Sequence, residues 1–197
     1  MFTDIKTALR PAIVLTILFA LLLGIAYPLA LTAVGQGLFP SQANGSLLRN
    51  AKGEVIGSSL LAQGFASDRY FHPRPSAAGK GYDALASAGS NLGPASQALV
   101  DRVKGDIAAN QAKAPGRSVP ADLVTASASG LDPHISPEAA LYQVTMVARA
   151  RGLPEARVRA LVDAAVEHPL LGFIGEERVN VLLLNRQLDA ESAKTAP

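Results

Sequence analysis

Ser127, Ser129, Asp132 and His134 bring a hydroxyl, a carboxylate and an imidazole into one short stretch, the three group types of acyl-transfer chemistry. Triads are usually assembled from distant segments, because residues this close in sequence seldom face one another. The elbow that exposes a hydrolase serine, Gly-x-Ser-x-Gly, has only Ala126-Ser127-Ala128-Ser129-Gly130 as its nearest approach. A phosphate-binding loop needs an upstream glycine and a hydroxyl after its lysine, and Gly79-Lys80-Gly81 has neither. The chain also lacks the Asp-Lys-Thr-Gly-Thr run that carries the phosphoryl group of a P-type pump. His72, His134 and His168 have no histidine three or four residues away and no paired carboxylate, so they read as surface or capping residues and no metal site is expected. Arg149, Arg151, Arg157 and Arg159 read as a solvated face.

Composition narrows the function classes further. Zero cysteines exclude disulfide frameworks, thiol nucleophiles and thiolate zinc sites. Lys and Arg number 18 against 16 Asp and Glu, so there is no electrostatic footprint for nucleic acid. With 49% hydrophobic residues, 17% charged and a mean hydropathy of +0.22, the 197 residues fit one ordinary domain plus an anchor.

The anchor comes first. From Pro11 to Leu48 no Asp, Glu, Lys, Arg or His occurs, and Pro11–Val34 is apolar. As a helix, 11–34 reaches roughly 36 Å, enough to cross a hydrocarbon core of about 30 Å. A cleaved secretory signal is the competing reading, but the run is longer than the usual apolar region of one and Leu31-Thr32-Ala33 is a poor cleavage site. Pro28 predicts a kink near Ala26 and Tyr27; Pro11, Gly24 and Pro28 are the candidates for packing against another membrane helix. Lys6 and Arg10 precede the span and no basic residue follows until Arg49, which predicts a cytoplasmic N-terminus over 1–10 and an extracytoplasmic remainder.

Beyond the span, 35–45 reads as a polar exit linker, 46–190 as one α+β domain and 191–197 as a flexible tail. Ser46–Arg49, the turn Asn50–Gly53 and Glu54–Leu61 predict a hairpin. Phe65–Gly93 reads as a long loop region. Four helices follow. One opens at Gly93-Pro94 and ends near Asn110, and one is capped by Ser136-Pro137 and stopped by Gly152. Another starts at Pro154 and ends at His168-Pro169; the last runs from Val179 to about Leu188, where Val179–Leu184 could instead be a strand.

Three loop segments stand out: Tyr70–Ala77, with two aromatics and an arginine between prolines; Gly89–Pro94; and Asp122–Pro137, whose small residues allow close backbone approach. Turn chemistry alone could account for each. Their order resembles the C subunit of Kdp-type potassium-transporting ATPases. The likeness runs through Leu9-Arg10-Pro11, Arg74-Pro75-Ser76-Ala77, Gly89-Ser90-Asn91-Leu92-Gly93-Pro94, the Asp122–Ser136 loop and Gly175-Glu176 leading to Val179-Asn180-Val181-Leu182 with Leu184-Asn185. Met146, where the family commonly has arginine, and Arg186-Gln187, in place of a more apolar pair, depart from it.

The resemblance implies a non-catalytic accessory subunit, single-pass in the bacterial inner membrane, of a high-affinity ATP-driven potassium uptake complex. Its implied partners are a channel-like A subunit that carries the ion, a P-type B subunit that hydrolyses ATP, and membrane lipid. It also implies a catalytic chaperone that raises the ATP affinity of the B subunit, with no stably bound cofactor. The missing phosphate cradle argues against a direct ATP site, and an external domain over the ion entrance agrees better with the topology. Partner-contact candidates are Arg74, Pro75, Ser76, Ser90, Asn91, Gly93, Ser127, Ser129, Gly130, Asp132 and His134. The alternatives are a membrane-anchored extracytoplasmic hydrolase and a free-standing binding module.

Overall fold

A computed structural model describes residues 2–195, with side chains described for 5–192. Its backbone divides into two compact units, one up to Ser58 and one from Ser59 onward.

The first unit is led by a helical rod: α1 (Phe2–Leu21), a π-helical turn at Leu22–Ala26 and α2 (Tyr27–Leu38). Residues Ile5–Leu38 form a helix of 34 residues, long and apolar enough to cross a membrane, and none of its most apolar window is buried within the chain. The rod extends beyond both ends of the expected span. Helix continues through 2–10 and through much of 35–45, where α3 (Pro40–Ala43) follows α2 almost at once, so the polar exit is helical and not an open linker. Tyr27 donates its N–H to the Leu22 carbonyl, five residues back. This wide turn sits just ahead of Pro28, which has no N–H for the Gly24 carbonyl and whose ring would crowd it in a regular helix. A Cβ built on Gly24 would meet nothing within 4 Å.

A hairpin completes this unit, β1 (Leu47–Arg49) against β2 (Val55–Ser58), with Leu47 opposite Ser58 and an irregularity between Leu48 and Arg49. Asn50 shapes its turn by accepting the Lys52 and Glu54 N–H groups at 2.9 and 3.0 Å, while Gly53 takes φ +82°. The return strand ends at Ser58, short of the expected Leu61.

The second unit is built on three helices and a small antiparallel sheet. The sheet, ordered β3 (His134–Ile135), β5 (Arg178–Asn180), β4 (Val166–Glu167), has strands too short for sequence periodicity to reveal. Helix α5 (Pro137–Arg151) starts as expected, with the Ser136 hydroxyl accepting the Ala139 N–H at 3.2 Å, and ends at Gly152 with φ +68°. Helix α6 (Glu155–Ala164) stops before the expected His168-Pro169 because Val166 and Glu167 pair with β5. The Val179 region takes both forms offered by the sequence: Arg178–Asn180 is strand and α7 follows at once over Val181–Thr195. Its helix continues past Asp189 into the segment expected to fray; positions 196 and 197 of that tail, and Met1, lie outside the described residues.

Ala140, Val144, Val147 and Ala148 of α5, Val158 and Val162 of α6, and Leu184 and Leu188 of α7 close over Ile135 and Val179 as the core. Helix α4 (Gln97–Lys113) begins later and runs longer than expected, and it has no fully buried residue. Arg151 corrects the expected solvated face. Its side chain is only 2% exposed, its guanidinium lies 4.8 Å over the Tyr70 ring, and it donates to the Arg69 carbonyl and to Asp189 at 2.6 and 2.7 Å.

Candidate functional site

Residues 59–96 contain no helix or strand, yet they are tightly placed, because side chains supply the hydrogen bonds a sheet would. Phe71 is fully buried, and its N–H and C=O are both satisfied by Asn185 of α7, at 2.9 and 3.0 Å. One residue on, Gln143 of α5 accepts the His72 N–H at 2.8 Å and donates to the His72 carbonyl at 3.1 Å. Two amides thus hold this stretch as a strand would be held, and fix where Arg74 emerges. Phe71 and Tyr70 consequently belong to the packing of the unit, so only the Arg74–Ser76 part of that segment faces the site.

Ser76 ties this segment to the Asp122–Pro137 loop. Its hydroxyl donates to the Gly130 carbonyl at 2.6 Å and accepts the Ala78 and Tyr82 N–H groups at 3.2 and 2.8 Å. Tyr82 donates its hydroxyl to the Arg74 carbonyl at 2.9 Å, and burial pushes that phenol above its ordinary value. Gly130, at φ +67°, is where the backbones meet: a Cβ there would lie 2.6 Å from the Ala88 oxygen and 2.7 Å from the Ala78 nitrogen. On the same strip the Ala88 N–H and the Ser87 hydroxyl donate to the Ser129 carbonyl at 3.0 and 2.9 Å.

At the centre lies the Arg74 guanidinium. It donates to Asp132 Oδ2 at 3.3 Å through Nη1, to the Thr125 carbonyl at 3.3 Å through Nε and to Thr125 Oγ1 at 3.2 Å through Nη2, with Asp122 Oδ1 4.0 Å from Nε. Asp132 Oδ1 accepts the His134 N–H at 3.0 Å and lies 3.5 Å from His134 Nδ1. The His134 ring and backbone donors, together with the Arg74 charge, hold the Asp132 carboxyl below its ordinary value against the opposing effect of partial burial. Asp122 fixes the loop exit by accepting the Ser136 N–H at 2.7 Å. Arg74, Asp122, Asp132, His134, Glu176 and Arg178 line an open cleft of about 360 Å³.

Such a cleft, with fixed charges of both signs, can take up polar and charged groups. Its chemistry stops short of a nucleophile. Asp132 and His134 are paired as a triad would need, but the Ser127 and Ser129 hydroxyls lie 3.4 Å from each other, Ser127 is 5% exposed and Ser129 Oγ accepts the Leu131 N–H. Among the described residues neither serine hydrogen-bonds His134, and no three His, Asp or Glu side chains are grouped to hold a metal.

Of the residues singled out from sequence, Arg74, Asp132 and His134 meet in the cleft, while Ser76, Ser127, Ser129 and Gly130 form the loop seam beside it, and Pro75 is half-buried between the two. Ser90 is half-buried, Asn91 and Gly93 are exposed, Asn91 adopts φ +52°, and none of the three lines the cleft. His168 is exposed and 2.9 Å from Glu177; it is not part of a helix stop. His72 departs from a surface role, since its Nε2 is buried without a hydrogen-bond partner, 3.9 Å from Asp68 Oδ1, and burial, reinforced by the Lys113 charge, lowers its pKa. Glu176 and Arg178 were missed, because only the β5 pairing brings them to β3. The amides of Asn185 and Gln143 were legible in principle, as polar residues on otherwise apolar helix faces.

The sequence model described as "K+-transporting ATPase, c chain" matches residues 9–190. A Caulobacter vibrioides protein (strain NA1000 / CB15N) named "Potassium-transporting ATPase KdpC subunit" is 62% identical over 182 residues, covering 92% of each chain. Proteins of the same name from Rhodopseudomonas palustris (strain BisB18) and Myxococcus xanthus are 54% and 53% identical, covering 92% and 96% of this chain and 97% and 89% of their own.

Proposed function

Because the chain belongs to the family of K+-transporting ATPase C chains and is an accessory subunit of a potassium uptake complex, we propose that it supplies that complex with docking surfaces and no chemistry of its own. The observation that carries this reading is the Arg74–Asp132–His134 clamp. Arg74, Asp132 and His134 are engaged with one another and with the loop backbone, while their charges remain partly exposed in an open cleft. A hydrolase would need one of those serines within reach of His134.

The helical rod anchors the chain in a membrane. With Lys6 and Arg10 before its uncharged stretch, the N-terminus lies in the cytoplasm and the domain on the outer face of the bacterial inner membrane. Its partners are then the channel-like A subunit, approached at the ion entrance, and the P-type B subunit, approached through membrane helices. The exposed flank at Pro11, Gly24 and Pro28 suits such packing, Gly24 leaving room for a neighbour's backbone. Any effect of this chain on ATP affinity is a coupling free energy carried through those helices, which linkage permits without an ATP site here. Cytoplasmic ATP would not reach an external domain, and no phosphate cradle is encoded.

Asp132→Asn and Asp132→Ala test the cleft. Asn retains an acceptor for the His134 N–H and loses the charge that pairs with Arg74 and with the His134 ring, each pairing worth about 0.2–1 kcal/mol between partly exposed partners. The detergent-solubilised chain is therefore expected to melt within a few degrees of wild type while potassium uptake by the complex falls. Unchanged uptake in both variants overturns the contact role; parallel loss of uptake and melting temperature makes the loop a structural element only.

A further inference from the structure

The second unit carries an apolar finger that none of the foregoing uses. Between β4 and β5 the chain turns back through Pro169-Leu170-Leu171-Gly172-Phe173-Ile174-Gly175. Leu170, Leu171, Phe173 and Ile174 are 68%, 76%, 75% and 52% exposed. Its tip is stiff: Leu170 and Ile174 exchange both backbone hydrogen bonds at 3.0 Å, and the Gly172 N–H donates to the Pro169 carbonyl at 3.0 Å. Leu171 is held at φ +56°, a left-handed conformation costly for a branched side chain and of no use to its own packing. Four large apolar groups on a preorganised turn lose little freedom when covered.

We infer that this finger docks into an apolar pocket, rimmed by basic side chains, on another subunit of the transport complex. The inference rests on the reading of the chain as a subunit of that complex. Charge selects a protein over lipid. The base of the finger carries Glu167, Glu176 and Glu177 against Arg178, with His168 beside Glu177. That acidic collar repels anionic headgroups, whereas membrane-inserting apolar elements carry Lys and Arg at their margins. Position agrees with this assignment, since Glu176 and Arg178 at the base of the finger also line the Arg74–Asp132 cleft. Finger and cleft thus form one continuous surface, apolar at one end and charged at the other, the anatomy of an interface with a dry core and a polar rim.

A benzophenone photocrosslinker placed at Phe173 of the full chain, irradiated in membranes that hold the assembled complex, reads the neighbour directly. A covalent adduct with another subunit is the expected result. Adducts with lipid or with a second copy of this chain, or no adduct, overturn the inference. In parallel, the double variant Leu171→Ser, Phe173→Ser should melt as wild type does, because both side chains are exposed, and reduce the complex recovered in mild detergent at least tenfold, the effect of removing central anchors. Undiminished recovery overturns the inference while leaving the subunit reading intact; failure of the wild-type chain to recover any other subunit overturns both.

Discussion

Gly130→Ala tests how the long loops are held. The new Cβ would stand 2.6 Å from the Ala88 oxygen and 2.7 Å from the Ala78 nitrogen, both backbone atoms that cannot swing aside as a side-chain tip can. A non-glycine residue at φ +67° adds about 1–2 kcal/mol of conformational strain. Forcing two backbones apart in a packed seam adds about 1–3 kcal/mol, since the Ser76 bond to the Gly130 carbonyl and the Ala88 bond to Ser129 must stretch. The total is about 2–5 kcal/mol, or a fall in melting temperature of roughly 4–20 °C for a chain of this size. Gly116→Ala is the matched control: φ is +77°, but nothing lies within 4 Å of its Cβ, so only the strain of about 1–2 kcal/mol applies. Thermal unfolding of the solubilised chain, followed by near-ultraviolet circular dichroism, compares the two. Equal melting temperatures would refute the claim that residues 59–96 are ordered by direct backbone contact with the 125–134 loop.

Asn185→Ala leaves the buried N–H and C=O of Phe71 without partners and should cost about 2–6 kcal/mol, read as a lower denaturation midpoint; a loss under about 0.5 kcal/mol would show the amide clamp to be dispensable. His72, with its pKa lowered in the folded state, favours its neutral form, so its contribution is intact above pH 6.5, the unfolded value, and lost as the pH falls from there through the folded pKa. Melting temperature should therefore drop on acidification below about pH 6.5 in wild type and less so in His72→Gln, and parallel pH profiles would contradict this. For Asp132, also lowered, the contribution persists above 3.8 and is lost below it, so Asp132→Asn should flatten the acid limb only in that lower range.

Legibility in the sequence followed locality. The hairpin turn at Asn50–Gly53 and helix α5 between Ser136-Pro137 and Gly152 were readable because their caps and turn residues act within a few positions. The long apolar helix was readable from composition, but it spread past both expected limits because nothing at Lys6, Arg10 or Gly35 breaks a helix already nucleated. Strands β3 and β4 left no trace and β5 showed only as the strand alternative at Val179, each being two or three residues long and fixed by partners elsewhere in the chain. Hence α6 was expected to run to His168, and the cleft lost Glu176 and Arg178. The cleft itself was half visible. Asp132 and His134 are near neighbours, but Arg74 joins them only because Asn185 and Gln143 position the preceding segment, a tertiary effect with no local signature. Arg151, placed on a solvated face by its charge, is buried because Tyr70, Asp189 and the Arg69 carbonyl converge on it.

The central claim is that this chain works only as part of a larger assembly. Affinity capture of the full-length chain from bacterial membranes in mild detergent, with the co-purifying chains identified by mass and quantified, tests it most directly. The account predicts a channel-like subunit and a P-type ATP-hydrolysing subunit at a fixed ratio to this chain. Recovery of the chain alone, in detergent that leaves the other two subunits associated with each other, would contradict it.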